Sequence, residues 1–301
     1  MSNIINIPNV TRDERIGSTF NYLFRVIHQV EAINSNDIIW DFKDCSFFHP
    51  FFLFPLALYR SNCEKKIICR NIPPYLRAYF NLIYFDDLLC IDKDVDIEEI
   101  LNDYIQKTYI PICKFDLCGS NIDGLQTTIQ NIIETQIGAD KRITTPLSYF
   151  LGELICNISQ HSKSKFGYIY SQYIHQERCI DICIADSGIT VLGSYINTCK
   201  YLDIIGDDDA IALKMANEGY STKDLPETEN RGYGISSSKN MLVDGLGGAF
   251  FMLSGGGFHR HSDHKSYFIK LLDSISWNGT IILMRIPIDV PADFKYEKYI
   301  Q

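Results

Sequence analysis

The sequence predicts a mixed α/β (α+β) protein of two domains, and three observations lead there. At 301 residues the chain is about twice the usual domain length, and 46% apolar content supplies sizeable cores. In its first third, short β-branched and aromatic runs alternate with helix-length segments, the pattern of a small α/β layer. Further on, a long helical pattern is followed by strands that end abruptly in polar and glycine-containing turns.

Taken in order, the chain opens with a strand near Ile4–Ile7, a helix from about Asp13 to Ala32 and a strong strand at Ile38-Ile-Trp-Asp-Phe42. An apolar helix around Phe51–Tyr59 follows, then a strand at Lys66–Arg70 and a helix from Pro74 to about Leu82. Residues Asp92–Thr108 are acidic with a helical pattern and read as a link to a strand at Ile110–Leu117, after which a helix covers Ile122–Ile137. These patterns place a first domain at 1–95, a connector at 96–120 and a second domain at 121–301.

The chemistry-bearing residues lie in the second domain. Glu153, Asn157 and His161 are spaced by four and share one face of a helix running from about Pro146 to Ser162. Leu147, Phe150, Leu151, Leu154, Ile155 and Ile158 fill the remaining arc, which would hold that helix on a sheet. A carboxylate there suits a general base, and an amide oxygen suits a hard cation that bridges phosphates; a solvated polar stripe fits the same spacing. Strands at Gly167–Tyr173 and Cys179–Ala185 come next, the second stopping at Asp186-Ser-Gly188. A carboxylate at that strand end is placed to accept a base amino group, although Asp is also an ordinary turn former. Beyond Ser221-Thr-Lys223, the run Arg231-Gly232-Tyr-Gly234-Ile precedes a helix at Ser236–Val243, where glycines let the backbone approach an anion and free N–H groups face it.

Together these segments resemble the GHKL superfamily of ATP-binding domains, in its histidine-kinase-like branch. Glu153, Asn157 and His161-Ser162 look like the N box, Asp186-Ser-Gly188 like the first glycine box, and Arg231-Gly232-Tyr-Gly234 like the second. The resemblance covers about residues 120–290 and implies a two-layer α/β sandwich that binds ATP and Mg²⁺. It implies that Asn157 ligates the magnesium with Glu153 nearby as base, that His161 lines the nucleotide site, that Asp186 takes the adenine amino group beside Gly188, and that Gly232 and Gly234 approach the phosphates with Arg231. Lys223 would contact phosphate from a lid, and Thr280, ahead of the last strand, would sit beneath the base. Where the family runs D-x-G-x-G, this chain has Thr190 at the second glycine position. From Ile38 to Leu89 the order of strands and helices resembles a STAS domain, which implies regulation or recruitment of a protein partner; the loop where antagonists carry a phosphorylated serine reads Ser46-Phe-Phe-His-Pro50.

An ATPase or serine/threonine protein kinase in signalling is the function so implied, with a nucleotide-gated interaction switch of little turnover as the alternative. An autophosphorylating histidine kinase fits less well, because no helix with a convincing phosphoacceptor histidine precedes the site. A homodimer stays open. The net charge of −9 argues against general nucleic-acid binding, and ten cysteines without C-x-x-C pairs, with no signal-peptide pattern, fit a reducing cytoplasm. The apolar run Phe47–Tyr59 is too short to span a bilayer. Two further clusters read as exposed loops: His259-Arg-His261-Ser-Asp-His264 as a solvated hairpin loop rather than a metal site, and Asp207-Asp208-Asp209 as a surface charge run.

Overall fold

The computed structural model of the protein describes residues 3–10, 16–92, 96–117, 122–138, 140–222 and 234–300. The chain divides into two compact units, one of residues 1–89 with 272–275 and the other of residues 90–271 with 276–301. Both sheets are flanked by helices in sequence, so the protein is mixed α/β as its pattern predicts.

In the first unit β1 (Ile4–Asn6), α1 (Ile16–Ala32), β2 (Asp37–Asp41), α2 (Pro50–Asn62), β3 (Lys66–Arg70) and α3 (Pro74–Leu82) alternate, and the strands form a parallel sheet in the order β1-β2-β3. Local chemistry starts α2 where it does. Pro50 occupies the first turn, where its missing N–H costs nothing, and His49 Nδ1 accepts the Phe51 amide at 3.2 Å. The segment Pro50–Tyr59 is buried throughout, so its apolar content is core rather than surface. Phe42 anchors that core, with the rings of Phe48, Phe80 and Phe85 meeting it edge-on at 5.6–6.5 Å.

The second chain segment continues with β4 (Leu89–Ile91), α4 (Ile97–Leu101), β5 (Tyr109–Asp116), α5 (Ile122–Ile137), α6 (Lys141–His161), β6 (Phe166–Ile174) and β7 (Cys179–Asp186). Then come α7 (Val191–Thr198), α8 (Leu202–Ile205), α9 (Asp209–Asn217) and α10 (Gly234–Asn240), the last running into one π-helical turn at Met241–Gly245. Four strands close the unit: β8 (Ala249–Gly255), β9 (Gly257–Ser262), β10 (Lys265–Lys270) and β11 (Trp277–Pro287). The eight strands order as β10-β9-β8-β11-β7-β6-β5-β4, and from β10 to β5 every neighbour is antiparallel. The last long strand therefore inserts beside β7, which brings Thr280 on β11 next to the end of β7.

Several sequence expectations change here. Within the 96–120 stretch read as a connector, Tyr109–Asp116 forms β5, the strand expected at Ile110–Leu117, and among the described residues of the helical pattern at Asp92–Thr108 only Ile97–Leu101 is α-helix, capped by Asp96. Helix α6 starts earlier than Pro146, because Asp140 caps it by accepting the Arg142 amide at 2.9 Å and Pro146 sits inside the helix. Thr280 lies within the final strand rather than ahead of it. His259 and His261 are strand residues of β9, both buried, and only His264 falls in the turn. Their alternation with Phe258 and Arg260 is the period-2 signal that the polar composition masked. Asp208 and Asp209 are not a bare charge run either: Asp208 caps α9 through Ala210 N at 2.8 Å, and Asp209 accepts the Gly256 amide at 2.8 Å. Among the described residues no helix is long and apolar enough to cross a membrane.

Candidate functional site

An open cleft of about 820 Å³, solvent included, gathers residues from α6, the β7–α7 turn, α7, the end of α9, α10, β8 and β11. Glu153, Asn157 and His161 face it from α6 together with Ile158, while Leu147, Phe150, Leu151, Leu154 and Ile155 are buried away from it as their spacing predicts. Asp186, Gly234 and Thr280 also line the cleft. Gly188 supports it from behind: its amide donates to Asp186 Oδ1 at 2.9 Å. Lys223, Arg231 and Gly232 lie outside the described residues.

Backbone contacts that leave no room for a side chain set the position of Asp186. A Cβ at Gly188 would stand 1.9 Å from the Ser162 carbonyl oxygen, and Ile189 N donates to that same oxygen at 2.7 Å. The turn after β7 is thereby fastened to the C-terminal end of α6, which sets Asp186 and the Asn157–His161 face on one cleft. On the other side Gly279 holds φ at +81°, and a Cβ there would meet the Asp186 backbone oxygen at 2.4 Å. Asp186 is almost fully buried. Burial pushes its carboxyl up to about 7, and the amides of Gly188 and Thr280 offset only part of that rise by donating to it.

Glu153 packs against α10. A Cβ at Gly234 would come 1.9 Å from Glu153 Oε2, so the need for glycine at 234 comes from the carboxylate packed on its backbone. Tyr149, one turn earlier on α6, has its phenol raised by burial and then by the Glu153 charge, with a hydrogen bond to Ser237 acting the other way. Asn157 Nδ2 is buried with no hydrogen-bond partner among the described residues, a donor left unserved inside the fold, and the side-chain oxygen is the atom that suits a cation. Among the described residues no group of three or more His, Cys, Asp or Glu side chains is arranged to hold a metal by itself. Magnesium does not require one, since it is commonly held by one or two side chains together with phosphates and water. Asn157 and Glu153 suit that mode.

Other cleft residues escaped the sequence reading. His161 Nδ1 pairs with Thr222 Oγ1 at 3.1 Å, and Thr222 Oγ1 pairs with Ser194 Oγ at 3.0 Å, which ties α6, the segment after α9 and α7 together. Tyr195 donates to the Tyr220 carbonyl at 2.5 Å. Ser194 and Tyr195 belong to α7, which is capped by Thr190: the threonine hydroxyl accepts the Gly193 amide at 2.9 Å. A Thr three residues before a glycine, opening an apolar run, was the available signal for that helix. Ser254 on β8, directly before a glycine cluster, accepts the Val191 amide at 2.9 Å and lies 3.1 Å from Thr280 Oγ1.

Comparison of the chain with protein-family models, with curated proteins and with solved structures finds no match.

Proposed function

We propose that the second unit binds Mg²⁺-ATP as a GHKL, histidine-kinase-like domain and acts as an ATPase or protein kinase in signalling. The observation that carries this reading is the juxtaposition of a buried, strand-end carboxylate, Asp186, with the Glu153–Asn157–His161 face of α6 in one cleft. Asp186 accepts the base amino group, Thr280 flanks it, and apolar Met252, Ile282 and Ile189 give the base a surface to bury. Asn157 is the side-chain ligand for the metal through its amide oxygen, and Gly234, whose backbone the Glu153 carboxylate covers, is assigned to phosphate by the family resemblance alone. Bound magnesium supplies charge neutralisation on the phosphates. Glu153 takes a proton from water or from an acceptor hydroxyl. Lys223 and Arg231 are assigned to phosphate by the family resemblance alone.

The parallel β1-β2-β3 sheet with α1–α3 supports a STAS-like role for the first unit, in which it recruits or regulates a protein partner. Magnesium-dependent displacement of a fluorescent adenine nucleotide by ATP tests the binding reading; no displacement by any adenine nucleotide contradicts it.

One observation favours a second reading, a nucleotide-gated switch with little turnover: the Glu153 carboxylate packs on the α10 backbone at Gly234 rather than standing clear in the cleft. Glu153→Gln separates the two. Lost turnover with retained binding identifies a base, whereas negligible turnover in both proteins identifies a switch.

A further inference from the structure

The hydroxyl of Ser254 has three hydrogen-bonding neighbours among the described residues, and its capacity is one donor and two acceptors. It lies 2.8 Å from the Gly279 carbonyl oxygen, which only accepts, so the Ser254 proton goes there. Its two lone pairs then face the Val191 amide at 2.9 Å and Thr280 Oγ1 at 3.1 Å. Val191 N–H only donates. Thr280 must therefore be the donor in its own pair with Ser254, and its proton is committed away from the cleft. Ser254 is 1% exposed and Thr280 8%, so water does not compete freely for either group.

Acceptors therefore line this part of the cleft. Thr280 Oγ1 keeps only lone pairs for a ligand, and the neighbouring Asp186 carboxylate, already accepting from Gly188 N and Thr280 N, also offers only lone pairs when ionised. Two adjacent acceptors suit a ligand edge rich in N–H and repel a carbonyl oxygen.

We infer that Ser254 is a positioning residue that sets nucleotide specificity, holding the Thr280 hydroxyl as an acceptor so that the cleft selects a 6-amino purine against a 6-oxo purine. The inference rests on the nucleotide reading above and extends it to a residue on β8 that the ligand does not need to touch. Replacing Ser254 by alanine frees the Thr280 proton, which can then rotate to donate to a 6-oxo group.

The test compares non-hydrolysable triphosphates of adenosine and inosine, titrated calorimetrically with Mg²⁺ into the full chain at about pH 8.5, where Asp186 is ionised. The wild type should prefer the adenosine ligand by roughly 100-fold, the order set by leaving a buried polar group unpaired. Ser254→Ala should shrink that ratio about tenfold, chiefly by improving the inosine ligand, and Ser254→Thr should restore it. Equal weakening of both ligands in Ser254→Ala, with the ratio unchanged, marks a merely structural residue and overturns the inference while leaving nucleotide binding intact. Absence of binding to either ligand by the wild type overturns the nucleotide reading and this inference with it. Thr280→Val gives an independent sign: it should weaken the adenosine ligand more than the inosine one, and the reverse order would contradict an acceptor at Thr280.

Discussion

At the residue scale the cleft trades stability for a binding group at Asp186. Its carboxyl is raised to about 7 by burial, against an ordinary carboxyl near 3.8, so the native fold retains a proton that the unfolded chain releases. A raised acid contributes its full stability below about pH 4, and the contribution is lost as pH rises through 7. Without ligand, Asp186→Asn should therefore be more stable than wild type at pH 8, by up to about 4 kcal/mol from a shift of about three units, with no gain at pH 4. Urea titrations at the two pH values check this, and equal differences at both would remove burial as the cause. The same titration touches specificity. Below pH 7 a protonated Asp186 offers an O–H donor, so preference for a 6-amino purine should narrow as the solution is acidified, and competition between adenosine and inosine triphosphates at about pH 6 reads it directly. Gly234 is a second residue-scale case. Gly234→Ala sets a Cβ against Glu153 Oε2, and because that oxygen ends a flexible side chain the fold should survive while the carboxylate is displaced. Turnover should fall and far-UV circular dichroism should not change.

At the element scale, the sheet is held in register by more than apolar alternation. Asp181 and Arg285 are directly opposed on β7 and β11, and the guanidinium grips both carboxylate oxygens at 2.8 Å. Asp181 is fully buried, and burial raises its carboxyl despite the arginine. Arg285→Met should leave that carboxylate without its cation in the sheet and cost about 3–5 kcal/mol, whereas the double change Asp181→Leu with Arg285→Met should cost much less; urea unfolding of the three proteins decides, and equal losses would contradict it. Such pairs also explain what the sequence did and did not disclose. The helix at Ile122–Ile137 and the two strands on either side of the turn at 175–178 follow from local periodicity, and so does the buried arc of α6. Asp181 and Arg285 are 104 residues apart, and nothing local announces that they meet. His259 and His261 show the opposite case, where a polar composition concealed a strand because burial against neighbouring strands overrode the local signal. Within the cleft, Glu153, Asn157 and Asp186 were legible because each sits at a motif-like position on its own element. Ser254 and Thr222 were not, since their roles arise only from hydrogen bonds between elements.

At the scale of the whole molecule, two units of different sheet architecture share one chain, a small parallel sheet in the first and a mainly antiparallel eight-stranded sheet in the second. The proposed ligand site belongs wholly to the second unit. A ligand that binds only the folded form adds to stability by mass action, about 2.7 kcal/mol at a hundredfold excess over Kd, so Mg²⁺-ATP should raise the Tm of the full chain and ATP without metal should raise it less. The most direct test of the central claim is calorimetric titration of the full chain with a non-hydrolysable ATP analogue, with and without Mg²⁺, beside Asn157→Ala. Saturable binding that depends on magnesium in the wild type, and that loses this dependence in the variant, is the predicted result. Absence of binding by the wild type, or binding indifferent both to magnesium and to Asn157, would contradict it.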